Sequence, residues 1–124
     1  MKNRIEMGLR ILIGIMLAMS GLNKLFGFMP MHEMSEAGSG FMTALSQAKY
    51  IIPTIAIIEV FGGILLISNK AVSFALVLLA PIIFNILFFH IFLEPEGVGA
   101  GIVFMIVLGW FAWNRKNDFI SLFK

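Results

Sequence analysis

Four side chains in this sequence combine useful chemistry with an unusual setting. Lys24, Glu59, Asn85 and His90 each interrupt a long apolar run. Glu59 is the clearest case, because it is the one ionisable residue between Ile51 and Ser68. A charged side chain at the centre of a bilayer costs roughly 2.5–3.5 kcal/mol on insertion scales. A residue kept there is paired, protonated or used. An amine, a carboxylate and an imidazole at similar depth suit a pocket that binds a polar head or relays protons, with His90 as the exchange group. The competing reading is architectural: Lys24 pairs with Glu59, and Asn85 satisfies what remains. Both readings stay open at this level.

Other chemistry is scarce. Met29-Pro30-Met31-His32-Glu33-Met34 holds soft-metal ligands, but it reads as an interfacial loop and no metal site is assigned. The chain has no cysteine, which excludes disulfides, thiolate metal centres and thiol–disulfide chemistry by this chain alone. A net charge of +2 without a basic cluster or aromatic platform excludes a nucleic-acid partner.

These residues must be positioned by helices in a membrane. The composition is 60% hydrophobic and 13% charged, against about 45–50% and about 25% in soluble domains. Four apolar segments run at about 5–28, 50–68, 71–93 and 98–113. The third covers about 34 Å at roughly 1.5 Å per residue, enough to cross a hydrocarbon core of about 30 Å. Lipid offers no partner for backbone polar groups, so the segments are helices. The expectation is an all-α, four-transmembrane-helix bundle formed by a single domain over 1–124, with the lipid bilayer as its first partner. The N-terminal segment is longer than a signal-peptide core and carries Arg10 and Lys24, so it reads as a retained helix.

Lys2, Arg4, Arg10, Lys70, Arg115, Lys116 and Lys124 all fall on one side of this topology. The positive-inside rule then puts both termini in the cytoplasm, in a cell (inner) membrane. Along the first helix, Asn3, Glu6, Arg10, Gly14, Leu17, Gly21 and Lys24 form one face. Arg10 is expected to snorkel toward the near surface. In the second helix Glu59 shares a face with Gly62 and Gly63, and so meets a close neighbour rather than lipid. Pro81 should kink the third helix. Asn85 and His90 lie about 140° apart on an ideal helix, so one should face the first helix and the other the second. Gly97 and Gly101 read as a packing motif, within the bundle or between protomers. The first outer loop is long. Ser35–Gly40 reads as a turn there, and Phe41–Ala48 as a short interfacial helix over the mouth of the bundle.

The chain resembles the DoxX family of small four-helix membrane proteins. The residues that carry this are Arg10 with Gly21-Leu22-Asn23-Lys24-Leu25, and Glu59-Val60-Phe61-Gly62-Gly63-Ile64-Leu65-Leu66. Asn69-Lys70, Asn85 to His90 and Phe92-Leu93-Glu94-Pro95-Glu96-Gly97 add to it, so that the likeness extends over nearly the whole chain. The resemblance implies a membrane-embedded accessory to redox chemistry. Some relatives are membrane subunits of a quinone-dependent sulfur oxidoreductase, and others act as assembly or cargo factors. It makes a quinone the expected ligand, a redox protein or a second copy of the chain the expected partner, and Lys24, Glu59 and His90 the matching polar motif. The alternative is a non-enzymatic membrane scaffold, assembly factor or small-molecule permeation protein.

Overall fold

A computed structural model describes residues 2–30 and 33–124. Met31 and His32 of the methionine-rich loop lie outside the described residues. Among the described residues the chain is helical, without strands. The elements are α1 (Lys2–Phe26), α2 (Glu36–Gln47), α3 (Ile51–Ser68), α4 (Val72–Phe92), α5 (Val98–Trp113) and α6 (Lys116–Ile120). Short 3-10 turns cover Pro95–Gly97 and Ser121–Phe123. Among the described residues four helices are long and apolar enough to cross a membrane: Asn3–Phe26, Ile51–Ser68, Val72–Phe92 and Pro95–Trp113. Large apolar side chains such as Phe61, Phe74, Phe84, Phe88 and Ile106 stand exposed around the outside. That is the surface a bilayer would cover, since lipid rather than water faces these spans.

α1 packs mainly on α3, α3 on α4, and α4 on α5, while α5 returns only loosely to α1. The ends of the bundle differ. At the end carrying the N-terminus and α6, buried Leu66, Val72, Ala75, Leu76, Leu79, Leu108 and Phe111 fill the interior, with Ile13 and Leu17 closing it from α1. A cavity of about 240 Å³ lies between α4 and α5 beside Leu76, Leu79 and Leu108, and the other end, where α2 lies, contains the two cavities described below.

Polar ties hold the termini end. Glu6 Oε1 accepts from Arg115 Nη2 at 2.7 Å, and Asn114 Nδ2 donates to Glu6 Oε2 at 3.0 Å, joining α1 to the end of α5. Ser73 donates to Asp118, which holds α6 against the start of α4. Arg10 does not snorkel. It is 5% exposed and donates to the carbonyl of Leu66 in the last turn of α3. A cation there adds a charged donor to a carbonyl whose other partner, Asn69 N–H, is distant at 3.4 Å, and complements the negative end of the helix dipole. Asn69, in the left-handed conformation at φ 57°, ends α3 and allows the tight turn into α4.

The short helix of the first loop begins earlier than its glycines suggest. Ser35 is its N-cap and accepts from Gly38 N–H at 3.1 Å, so residues read as a turn are the first helical turn of α2. Gly38 also lies against the α4–α5 connection: a Cβ there would stand 2.6 Å from the Glu94 carboxylate, which would have to shift.

Candidate functional site

The site is built on backbone contact between α1 and α3. A Cβ on Gly63 would lie 2.5 Å from the Gly14 carbonyl, and one on Gly21 would lie 2.5 Å from the Ala56 carbonyl. Only residues without side chains let two helices come this close. Gly62, on the neighbouring face, receives the Leu79 side chain of α4. Glu59 lies between Ala56 and Gly63 on this seam and is 1% exposed. Lys24 lies one turn beyond Gly21. The seam thus brings Lys24 Nζ to 2.8 Å from Glu59 Oε1. Nζ also donates to Ser20 Oγ at 2.9 Å, one turn back on α1.

The pair is close but incompletely bonded. Oε1 is buried at ion-pair distance, yet among the described residues no donor is aligned on it as a hydrogen bond requires. The contact is therefore mainly one of charge. Lys24 keeps 25% of its side chain exposed, while Glu59 keeps almost none.

Two cavities flank the pair. The first, about 250 Å³, lies in the gap between α1 and α5. It is lined by Glu59, His90, Ser20, Ile86, Gly101 and Phe104 among others. The second, about 410 Å³, lies between α3 and α4 and beneath α2. Lys24, Asn85 and His90 supply its polar groups, and Met42, Leu45, Ile52, Ile55 and Phe89 are among its apolar walls. Ile86 and His90 line both cavities. The four polar residues singled out in the sequence are thus gathered around two adjoining chambers rather than one.

Asn85 and His90 do not divide between α1 and α3 as their spacing suggests. Both line the larger cavity, because it takes in the α4 face carrying Pro81, Ile82, Asn85, Ile86, Phe89 and His90. No π-bulge is needed, since α4 runs as α-helix through this stretch. Asn85 is exposed at the rim of the larger cavity and does not line the one that contains Glu59.

His90 is oriented by its own helix. Nδ1 lies 2.9 Å from the Ile86 carbonyl, and a carbonyl can only accept, so Nδ1 carries the proton. In the neutral ring Nε2 is then an acceptor. The ring rests on Gly97, where a Cβ would approach Cδ2 and Nε2 within 2.4 and 2.6 Å. Gly97 thus packs within the bundle, as the receptor of the imidazole. Nothing within 4 Å would meet a Cβ on Gly109.

α2 roofs the larger cavity. Met42 and Leu45 point into it, and Phe41 packs on Phe89 at 5.5 Å between ring centroids. Its N-terminus is fastened to the α4–α5 connection. Ser35 N–H donates to both Glu94 carboxylate oxygens at 2.9 and 2.8 Å, and Ser35 Oγ donates to the Leu93 carbonyl at 2.6 Å. The sequence reading assigned no part to Ser20, Ser35 or Glu94. Ser20 could have been found four residues before Lys24 on one helix face, whereas nothing local links Ser35 to Glu94. Among the described residues no cluster of three or more His, Asp or Glu side chains could hold a metal ion.

Neither the curated proteins nor the solved structures hold a match to this chain. A family model does match, over residues 6–91. The match takes in α1 from Glu6, the whole of α2 and α3, and α4 to Ile91. It therefore includes Lys24, Glu59, Asn85 and His90, but stops short of Phe92–Gly97. With four membrane-length helices, and most of the chain inside the match, this multi-pass membrane protein belongs to the DoxX family.

Proposed function

We propose that this protein is a redox-linked accessory subunit that holds the polar head of a quinone-like lipid in the cavity between α1 and α5. One observation carries the reading: a fully buried carboxylate, imperfectly bonded to its lysine, lines a cavity shared with a histidine. Intramembrane ionisable groups that line cavities mark ligand or proton pathways. The residues suit such a head. Glu59 can accept from a hydroxyl or, protonated, donate to a carbonyl, and the His90 ring lines the same cavity. The loose return of α5 to α1 leaves an opening toward the bilayer, the source of such a ligand. When bound, a quinone head supplies two-electron, two-proton chemistry; a partner protein supplies the electrons. Glu59 and His90 hold and exchange protons at the head, and the apolar walls exclude water.

The protein sits in the cell (inner) membrane with both termini cytoplasmic, supported by the basic residues at the termini end. Residues 92–124 form one domain with the matched segment. Supporting this, α5 packs on α4 and Arg115 bonds to Glu6.

The test is to purify wild type and Glu59→Gln in mild detergent, extract bound small molecules from equal amounts, and identify them by mass spectrometry. A quinone or similar polar-headed lipid should be retained by wild type and lost from the variant. Identical lipids in both would overturn the reading.

A second reading rests on the position of the ion pair on the glycine seam. There the pair is architectural, and the protein is a scaffold, assembly factor or permeation protein for a second copy or another membrane protein. Glu59→Gln would then lower the melting temperature sharply without changing the bound lipids.

A further inference from the structure

The larger cavity presents a different chemistry from the one beside α5. It is lined by Lys24 and Asn85, and Glu59 is absent from its walls. The ammonium has three donors. One is directed to Ser20 Oγ and the nearest charge is Glu59 Oε1, on the side of the other cavity. A quarter of the lysine side chain is still exposed. The remaining walls are aliphatic and aromatic, and Asn85 stands at a rim on the outer surface of a membrane span. A ligand entering there comes from the bilayer, with an apolar body and an acceptor head.

We infer that the cavity beneath α2 is a second binding site, for a single-headed anionic amphiphile, and that occupying it transfers Lys24 from Glu59 to the ligand. One ammonium neutralises one anion. When the ligand's head pairs with Lys24, Glu59 is left as an unpaired carboxylate in an apolar interior, a state that is strongly disfavoured. Glu59 therefore takes up one proton as the anion binds. The balance is simple: an ammonium–carboxylate pair, an anion and a proton become an ammonium–anion pair and a carboxylic acid. The ligand arrives through the cavity beneath α2, and the proton through the cavity beside α5. The ionisable groups around the exchange are Lys24 from α1, Glu59 from α3 and His90 from α4. Neither α2 nor α5 lines the cavities with an ionisable residue.

The test uses the full chain in phosphatidylcholine nanodiscs, with hexadecanesulfonate as probe because its head stays ionised from pH 5 to 9. Saturable binding should weaken by up to tenfold for each unit of rising pH, the slope expected when one proton is taken up with the ligand. Lys24→Gln should abolish it. Glu59→Gln should bind at neutral pH about as tightly as wild type does in acid, with the tenfold-per-unit pH dependence lost. A pH-sensitive dye in weak buffer should report one proton taken up per probe bound to wild type, which serves even if the variants fold poorly. Displacement by oleate identifies a free long-chain carboxylate as the source, and displacement by phosphatidylglycerol a phospholipid head. Any of the following overturns the inference: equal binding of hexadecanol, no proton uptake, unchanged pH dependence in Glu59→Gln, or displacement by neither lipid. None of these results bears on quinone retention in the α1–α5 cavity, so the two sites stand or fall separately.

Discussion

α1 has two neighbours, and it meets them in opposite ways. Against α3 it presents Gly14 and Gly21, and backbone touches backbone along the middle of both helices. Against α5 it presents Met16, Leu17 and Ser20 across open space. Its bonds to that side come at the far end, through Glu6 to Asn114 and Arg115. One side of a single helix is a fixed seam and the other a gap. Small residues make the seam by letting helices close. Small residues also leave the gap, because Ala100 and Gly101 face it without filling it. The meaning of a small residue in a membrane helix is set by its neighbour.

The seam is the easier of the two to break. Gly63→Val puts three carbons where a single Cβ already lies 2.5 Å from a backbone oxygen. It should cost at least about 3 kcal/mol, the upper range for overpacking, because neither helix backbone can yield without separating. Titration with sodium dodecyl sulfate would measure it; stability near wild type would mean the helices do not touch there. Lys24→Met should cost about 3 kcal/mol by leaving Glu59 buried without its counter-charge. The lower part of the usual range applies because Lys24 is a quarter exposed. Adding Glu59→Met to that variant should recover most of the loss, and no recovery would show that the pair does not act as a unit. The gap should tolerate change: Ala100→Leu should shift stability by no more than about 0.5 kcal/mol, as for a side chain entering open space. A loss as large as that of Gly63→Val would mean that α5 already closes on α1.

Hydropathy made the four spans legible to within a few residues, because lipid exposure is imposed on each helix locally. The α1 stripe was legible for the same reason: Glu6, Arg10, Gly14 and Gly21 all turn inward. The sites where distant residues meet were less legible. Arg10 looks like a surface-seeking cation until the end of α3 is seen beside it. Asn85 and His90 look too far apart on α4 to share a cavity until its width is known. Gly38 reads as a turn until Glu94 is found against it. The division of four polar residues between two chambers depends on gaps between helices, and a gap has no residue of its own in the sequence.

The fastening of Ser35 to Glu94 has a counterpart at the opposite end of the molecule. There Glu6 of α1 pairs with Arg115 just after α5, whereas Ser35 ties the start of α2 to the α4–α5 connection. The opening between α1 and α5 is thus laced directly at the termini end and only indirectly, through the two loops, at the other.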